Sequence, residues 1–153
     1  MSIVYITTLQ TPLGLMLAKA TDVGLFYLDF TDEKDDIIIS KNHILELLEI
    51  ELSEYFSKKR KSFDIPILLE GTSFQKEVWN TLLKIEYGKT ISYEEEALMM
   101  QKPKSYRAVA NANGKNPISI IVPCHRVIAK SGSIGGYTGG IWRKEFLLEL
   151  ERG

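Results

Sequence analysis

The chemistry of this chain is expected to centre on Cys124, which is followed directly by His125 and Arg126. A cysteine reacts as its thiolate, and a neighbouring imidazole or guanidinium raises the ionised fraction of the thiol. Consecutive side chains of an extended chain point in different directions. Either the chain turns at Cys124, therefore, or a water molecule bridges Cys124 and His125. The alternative to a nucleophile is a buried, inert cysteine.

A histidine that acts as a base needs an acceptor that orients its second ring nitrogen. Glu149 and Glu151 are both candidates, and their spacing does not choose between them. Arg126 is interpreted as a structural residue that pairs with a carboxylate. A structural zinc site normally takes four cysteine or histidine ligands, and this chain has one cysteine and two histidines, so no metal site of this kind is expected.

The composition is typical of a folded protein without a membrane anchor. The 153 residues suffice for one compact unit or two small lobes, and 44% apolar residues predict a buried core. No apolar run is long enough to span a membrane, and the first ten residues lack the pattern of a secretory signal. A single cysteine fits a reducing compartment. We therefore expect a cytoplasmic protein.

Charge is distributed unevenly along the chain. Residues 1–72 hold 7 basic and 12 acidic residues, whereas residues 73–153 hold 12 basic and 8 acidic residues. Between Ala97 and Lys144 there are eight basic residues and no acidic one. A basic region of this kind favours contact with a polyanion, although a solvated basic face would give the same pattern.

The first half of the sequence predicts a small antiparallel sheet followed by a helix. Three short segments, 3–8, 14–20 and 23–30, have the character of strands and are punctuated by proline and glycine. Residues 42–59 carry an apolar stripe at helical spacing. Residues 60–72, with a proline and a glycine, resemble a linker. The predicted N-terminal domain covers residues 1–71, including this linker.

The second half, residues 72–153, predicts a mainly helical domain. Thr72 with Gln75, and Ser92 with Glu95, have the spacing of capping boxes that open two helices. The first of these would carry a core stripe through Ile85 and end by Gly88, and the second would run to about Met100. Pro103 then suits the first turn of a further helix, which Gly114 would stop, and the last two helices together suggest a helix-turn-helix.

The later helix of that pair carries small side chains that would permit close approach to a nucleic-acid groove. They would equally permit close packing between helices, and spacing alone does not separate the two. The apolar run 117–122 predicts a buried strand or extended segment. Five glycines between residues 132 and 140 predict a loop able to approach a ligand, and residues 141–151 predict a closing helix.

The segment Val122-Pro123-Cys124-His125-Arg126-Val127 resembles the active-site signature of the O6-alkylguanine-DNA alkyltransferases. Further motifs match the same family in the same order. They are Phe74-Gln75, Val78-Trp79, Ile91-Ser92-Tyr93, Arg107-Ala108-Val109, Asn116-Pro117 and Gly135-Gly136-Tyr137-Thr138-Gly139-Gly140. The similarity is strong over residues 72–151 and looser over the first half.

This resemblance implies an α+β protein. The N-terminal sheet and helix would be ribonuclease H-like, and the C-terminal domain would be winged helix-turn-helix-like. The implied activity is DNA repair: the alkyl group of O6-alkylguanine in double-stranded DNA would move irreversibly to Cys124 after base flipping, and O4-alkylthymine is a further possible substrate. The implied partner is damaged duplex DNA, the protein acts as a monomer, and no cofactor is needed.

The resemblance also implies residue roles. Cys124 would accept the alkyl group, His125 would act through a water as base, Glu151 would orient His125, and Tyr93 would press on a phosphate and hydrogen-bond the guanine. Arg107 would enter the base stack at the vacated position. The other residues carried over as DNA-binding are Thr72, Ala108, Ala110 and Asn111. Those carried over to the substrate pocket and its hinge are Asn116, Val127, Tyr137 and Thr138.

Two positions depart from the family pattern. Ala110 stands where relatives often have glycine, and Asn113 stands where some place an apolar residue over the guanine, so the substrate range is open. Two other functions compete with repair. A lesion-binding relative without transfer activity normally lacks the cysteine, which this chain keeps. An unrelated cysteine hydrolase would explain neither the basic helix nor the glycine loop.

Overall fold

A computed structural model describes residues 3–32 and 37–153 of the chain. It divides into two compact units, Met1–Leu69 and Glu70–Gly153. In the described residues, the first unit contains a three-stranded sheet and one helix, and the second unit is mainly helical. The predicted α+β class is therefore confirmed. Among the described residues, no helix is both long enough and apolar enough to cross a membrane.

The sheet of the first unit is a meander of β1 (Tyr5–Thr11), β2 (Gly14–Ala20) and β3 (Leu25–Phe30). Both neighbouring pairs are antiparallel, as predicted. The tight turn between β1 and β2 needs a positive φ, which Gly14 supplies at 112°. Alternation along β2 buries Met16, Ala18 and Ala20 and so directs one face of the sheet into the core.

The helix of the first unit, α1 (His43–Phe56), begins where Asn42 accepts a hydrogen bond from the Leu45 amide at 3.1 Å. Its apolar stripe is buried as the helical spacing predicts. The segment after α1, which the sequence predicted to be a linker, is partly bound to the first unit. Leu25 donates to the Pro66 carbonyl and accepts from the Leu68 amide, so this stretch is bound to the edge of β3.

The second unit contains α2 (Ser73–Leu82), α3 (Tyr93–Met99), α4 (Tyr106–Gly114) and α5 (Ile141–Arg152). Both predicted capping boxes are present, with Thr72 before α2 and Ser92 before α3. A short 3-10 turn, Pro103–Ser105, leads into α4, so the predicted helix pair exists. Helix α2 ends at Leu82, earlier than its apolar stripe suggested.

Trp79 of α2 belongs to the core of this unit. Its indole nitrogen donates to the Ala112 carbonyl of α4 at 2.9 Å, and the side chain is 2% exposed. Val109 of α4 and Leu147 of α5 are buried in the same unit. The apolar faces of these helices therefore form the support for the residues described below.

The apolar run 117–122 was predicted to be a buried strand or extended segment, and that prediction was wrong. It consists of bends and turns around a single bridge residue, Ile118, with Ile120 at a positive φ of 74°. Ile118 and Val122 are nevertheless fully buried. Hydrophobicity predicted the burial correctly, but the chain must reverse here to carry α4 back towards Cys124. Two short strands of two residues each, β4 (Ile91–Ser92) before α3 and β5 (Val127–Ile128) after Arg126, pair in parallel.

Candidate active site

Cys124 begins a single 3-10 turn, Cys124–Arg126, that separates the buried turns from β5. The Cys124 amide donates to the Val122 carbonyl at 2.9 Å, and the Arg126 amide donates to the Pro123 carbonyl at 3.0 Å. Cys124 is half-buried while His125 and Arg126 are buried. Of the two arrangements that the sequence left open, the chain therefore turns at Cys124.

Asn116 holds this turn from the end of α4. Its side-chain amide donates to the Val122 carbonyl at 2.7 Å and to the Cys124 sulfur at 3.4 Å, and its oxygen accepts from the Ile118 amide at 3.0 Å. One buried asparagine thus fixes both ends of the reversal 117–122 and directs an N–H at the sulfur. The hinge role expected of Asn116 stays a prediction, and these three hydrogen bonds are consistent with it.

His125 is fully buried and its Nε2 lies 2.7 Å from Glu151 Oε2. Burial lowers the pKa of His125, although the adjacent Glu151 acts in the opposite direction. For Glu151, burial would raise the pKa, but hydrogen bonds from His125 and Arg126 hold it well below its ordinary value. The pair is therefore a neutral imidazole donating through Nε2–H to a carboxylate. Nδ1, which has no hydrogen-bond partner among the described residues, is left as the basic nitrogen.

Arg126 completes the support of Glu151. Its Nε donates to Glu151 Oε1 at 2.8 Å, its Nη2 donates to Oε2 at 3.1 Å, and its Nη1 donates to the Ile85 carbonyl at 2.6 Å. The interpretation of Arg126 as a structural partner of a carboxylate is confirmed. Glu149, the other candidate orienting group, is exposed and pairs with Arg152 instead.

Lys144 is a buried cation that the sequence did not single out. It is fully buried, and its ammonium donates to the carbonyls of Val127 at 2.6 Å and Gly136 at 3.0 Å. Burial lowers its pKa to about 8, while the Cys124 charge acts to raise it. A thiolate at Cys124 and the Lys144 ammonium therefore stabilise each other. The sequence places Lys144 in the first turn of the closing helix after Gly140. The spacing of the residues did not show that its side chain points inward.

Tyr93, the first residue of α3, lies close to the same sulfur. Burial raises the pKa of its phenol, a hydrogen bond with the Gly136 backbone opposes this, and the charges of Cys124 and Glu96 raise it further. Gly135 packs on the ring at a positive φ of 75°, and a Cβ there would lie 2.9 Å from the Tyr93 oxygen. The glycine loop can approach Tyr93 only because this residue has no side chain.

The residues expected to line the pocket differ in their burial and in their hydrogen bonds. Thr138 is exposed and its hydroxyl donates to the Gly114 carbonyl at 3.0 Å, which ties the glycine loop to the end of α4. Tyr137 is half-buried in that loop. The Val127 side chain is fully buried, and its carbonyl is the one that receives Lys144.

One face of α4 is exposed and carries most of the expected DNA-binding residues. Arg107, Ala108 and Asn111 are exposed, and Ala110 is half-buried. Val109, Ala112 and Asn113 occupy the opposite, buried face. Thr72 is also exposed, but its hydroxyl accepts from the Gln75 amide at 3.1 Å as the cap of α2. Within residues 3–32 and 37–153, no three His, Cys, Asp or Glu side chains are grouped closely enough to hold a metal ion.

Two family models match the chain. Residues 4–69 match the ribonuclease-like domain of 6-O-methylguanine DNA methyltransferase, and residues 73–153 match the DNA-binding domain of the same family. A relative from Methanosarcina barkeri, a methylated-DNA–protein-cysteine methyltransferase, is 44% identical, covering 96% of both chains. A second from Methanosarcina acetivorans is 42% identical and covers 96% of this chain and 97% of its own.

Solved structures agree with this match. The O6-methylguanine methyltransferase of Mycobacterium tuberculosis has a TM-score of 0.88 at 40% identity, covering 98% of this chain and 93% of its own. A crystal structure of Mycobacterium tuberculosis OGT in complex with DNA has a TM-score of 0.86 at 41% identity, covering 95% and 91%.

Proposed function

Because the chain belongs to the 6-O-methylguanine DNA methyltransferase family in both of its units, we propose that it repairs O6-methylguanine in DNA by methyl transfer to Cys124. The observation that carries the proposal is the arrangement around one half-buried sulfur. An asparagine amide and a buried ammonium favour the thiolate, and a neutral imidazole oriented by a carboxylate lies next along the chain.

The reaction is a displacement at the methyl carbon. The thiol proton leaves through a water to His125 Nδ1, and Glu151 stabilises the imidazolium that forms. The thiolate then attacks the methyl group, so that a sulfur–carbon bond forms as the carbon–O6 bond breaks. The electron pair of the broken bond stays with guanine, which takes up a proton through water in place of the one that the thiol gave to His125. The products are unmodified guanine and S-methylcysteine.

The substrate base must leave the helix before it can reach this sulfur, because O6 lies within a stacked base pair. Arg107 on the exposed face of α4 is suited to fill the vacated position, and Tyr93 is suited to contact the rotated nucleotide. Ala108, Ala110 and Asn111 would lie against the groove and Thr72 against the backbone. The partner is double-stranded DNA, and the protein acts on it as a monomer.

The transfer is a single turnover, since a thioether is not cleaved by any group in this site. Tyr137 and Thr138 of the glycine loop would bound the space open to the alkyl group, whereas the expected pocket residue Val127 has a fully buried side chain and does not line it.

Intact-protein mass spectrometry tests the proposal. After incubation with duplex DNA containing one O6-methylguanine, the protein should gain the mass of one methylene group, and peptide mapping should place it on Cys124. An unmethylated duplex and the Cys124→Ala variant are the controls, and neither should give the gain. Binding to the lesion without any change in mass would overturn the transfer function and identify a lesion-binding protein instead.

A further inference from the structure

Glu96 of α3 and Asn113 of α4 form a buried polar pair that the methyl-transfer chemistry does not use. Glu96 is 0% exposed and Asn113 is 6% exposed. The Asn113 side-chain amide donates to Glu96 Oε1 at 2.7 Å. A carboxyl group in such a position loses its hydration, and an ionised form requires several donors or a cation to replace that hydration.

The pair holds more acceptors than donors. Glu96 Oε2 and Asn113 Oδ1 are both buried, and neither has a hydrogen-bond partner among the described residues. Within residues 3–32 and 37–153, no lysine, arginine or histidine forms an ion pair with Glu96. One proton on the carboxyl converts a surplus acceptor into a donor, and the amide oxygen of Asn113 is the acceptor within the same pair. Burial raises the pKa of Glu96 to about 7, against the effect of the Asn113 hydrogen bond.

The surroundings of Glu96 do not supply a compensating charge. The structural elements that pack on α3 include α2, α4, β4, β5 and the turn before α4. The buried residues of α2 and α4 do not titrate: they are Val78, Trp79, Thr81, Leu82, Val109, Ala112 and Asn113. Lys104 in the turn before α4 is exposed. The ionisable group that senses Glu96 is Tyr93, one turn earlier on α3, and its phenol carries no positive charge.

A short path connects this pair to the reactive sulfur. Asn113 lies in the last turn of α4, and its carbonyl accepts from the Asn116 amide at 3.2 Å. The Asn116 side chain in turn holds the Val122 carbonyl and the Cys124 sulfur. A shift of Asn113 would therefore be passed to the residue that positions Cys124. A negative charge at Glu96 would also act on Tyr93, whose phenol interacts electrostatically with Cys124.

We propose that Glu96 is a positioning residue that works in its protonated form, fixing the end of α4 through Asn113. Loss of its proton then loosens the Asn116 hinge and slows alkyl transfer to Cys124. The inference rests on the proposed repair function for its kinetic consequence, but the protonated carboxyl is a property of the folded protein alone. The ionisation of Glu96 thereby makes the rate of repair sensitive to pH close to neutrality.

The test compares single-turnover transfer rates of the wild type and Glu96→Gln between pH 6 and pH 8, at saturating methylated duplex. Glutamine reproduces the donor and acceptor of the protonated acid and does not titrate. The ratio of the Glu96→Gln rate to the wild-type rate should be near one at pH 6 and rise to about tenfold at pH 8. Groups whose titration does not depend on Glu96 contribute equally to both rates, and the effect of the Glu96 charge on Tyr93 is part of what the ratio measures.

Glu94→Gln is the matched control, because it removes one charge from the same helix at a side chain that is not fully buried. It should keep the wild-type pH profile, which separates the effect of position from a general gain in attraction for DNA. Glu96→Leu, a second neutral replacement, leaves the Asn113 amide without its acceptor. It should be slower at low pH yet show the same flattened alkaline limb.

A ratio that stays constant with pH for both Glu96 variants would overturn the inference. Carbon-13 NMR of the glutamate carboxyls in the wild type, without DNA, gives an independent readout. One carboxyl should titrate near neutrality and disappear in Glu96→Gln or Glu96→Leu, and a set of carboxyls that all titrate near their ordinary values would again overturn it. If the wild type transfers no methyl group at any pH, the repair function fails, and the NMR titration still decides the state of Glu96.

Discussion

The active-site turn depends most on Glu151, because His125 and Arg126 both donate hydrogen bonds to its buried carboxylate. Removing one member of a buried ion pair costs about 3 kcal/mol or more, since the partner charge is left uncompensated. We therefore expect Glu151→Gln to lower the free energy of unfolding by about that amount at neutral pH. Urea denaturation measures the change, and Glu149→Gln, at an exposed ion pair, should have little effect.

Glu151 also determines how the stability of the folded protein changes at acidic pH. The pKa of Glu151 is held below its ordinary value of 4.5 in the folded protein. Its contribution to stability is therefore complete above that value and is lost as the pH falls through the lower, folded pKa. Glu151→Gln should make the fall in stability on the acid side shallower. An equally steep fall in both proteins would contradict the arrangement described for this carboxylate.

Lys144 supports a second prediction at a single residue. Its two hydrogen bonds fasten β5 to the glycine loop, and its charge faces Cys124. Lys144→Met should lower the free energy of unfolding by about 2 kcal/mol, at about 1 kcal/mol for each hydrogen bond lost. It should also slow methyl transfer below pH 8, where the native ammonium is charged. The exposed Lys130→Met is the control in both assays, and equal rates in the two variants would count against a role for the Lys144 charge.

How far the sequence predicts this site differs between its members. The order Cys124-His125 and the resemblance around it predicted the nucleophile, the histidine and Glu151, and the structure brings His125 and Glu151 together. Lys144 and Glu96 were missed because both are charged residues on helices with polar neighbours, so local spacing favoured solvent. Their burial depends on contacts with residues distant in sequence, which no local pattern contains.

At the scale of secondary structure, the glycine loop gives the sharpest prediction. Gly135 and Gly132 both have positive φ, but a Cβ at Gly135 would meet Tyr93 at 2.9 Å, whereas one at Gly132 would meet no atom within 4 Å. Alanine at either site should cost about 1–2 kcal/mol through backbone strain. Only Gly135→Ala should also slow methyl transfer, roughly tenfold to a hundredfold, because Tyr93 must move. Thermal unfolding and single-turnover rates measure the two effects, and equal rates would contradict the contact.

The elements themselves were predictable where the cause is local. Caps such as Thr72 with Gln75 act within one helical turn, and both predicted boxes are present. The run 117–122 was assigned wrongly because its hydrophobicity reports burial and not direction. The strands β4 and β5 contain two residues each, too few for any periodicity, and they pair across 36 positions of sequence between Ile91 and Val127.

For the whole molecule, the count of basic residues overstates the charge available to DNA. Two of the eight between Ala97 and Lys144 are buried: Arg126 pairs with Glu151, and Lys144 donates to backbone carbonyls. Lys102 is committed to Glu77 at 2.9 Å. Arg143 is half-buried and donates to the Gly139 carbonyl at 2.9 Å. Apart from Lys102, the exposed basic side chains in this stretch are Lys104, Arg107, Lys115 and Lys130. A smaller set of charges is therefore expected to carry the electrostatic part of binding.

The salt dependence of DNA binding tests that smaller set. Each phosphate contact contributes a slope of about −0.9 to the logarithm of the binding constant against the logarithm of salt concentration. Lys104→Ala and Lys115→Ala should each make the slope shallower by about one, with similar losses on damaged and undamaged duplexes, because phosphate contacts do not depend on sequence. Lys41→Ala, in the ion pair with Glu49 of the first unit, should leave the slope unchanged. If all three variants share the wild-type slope, the exposed charges of residues 97–144 are not the ones that meet the DNA backbone.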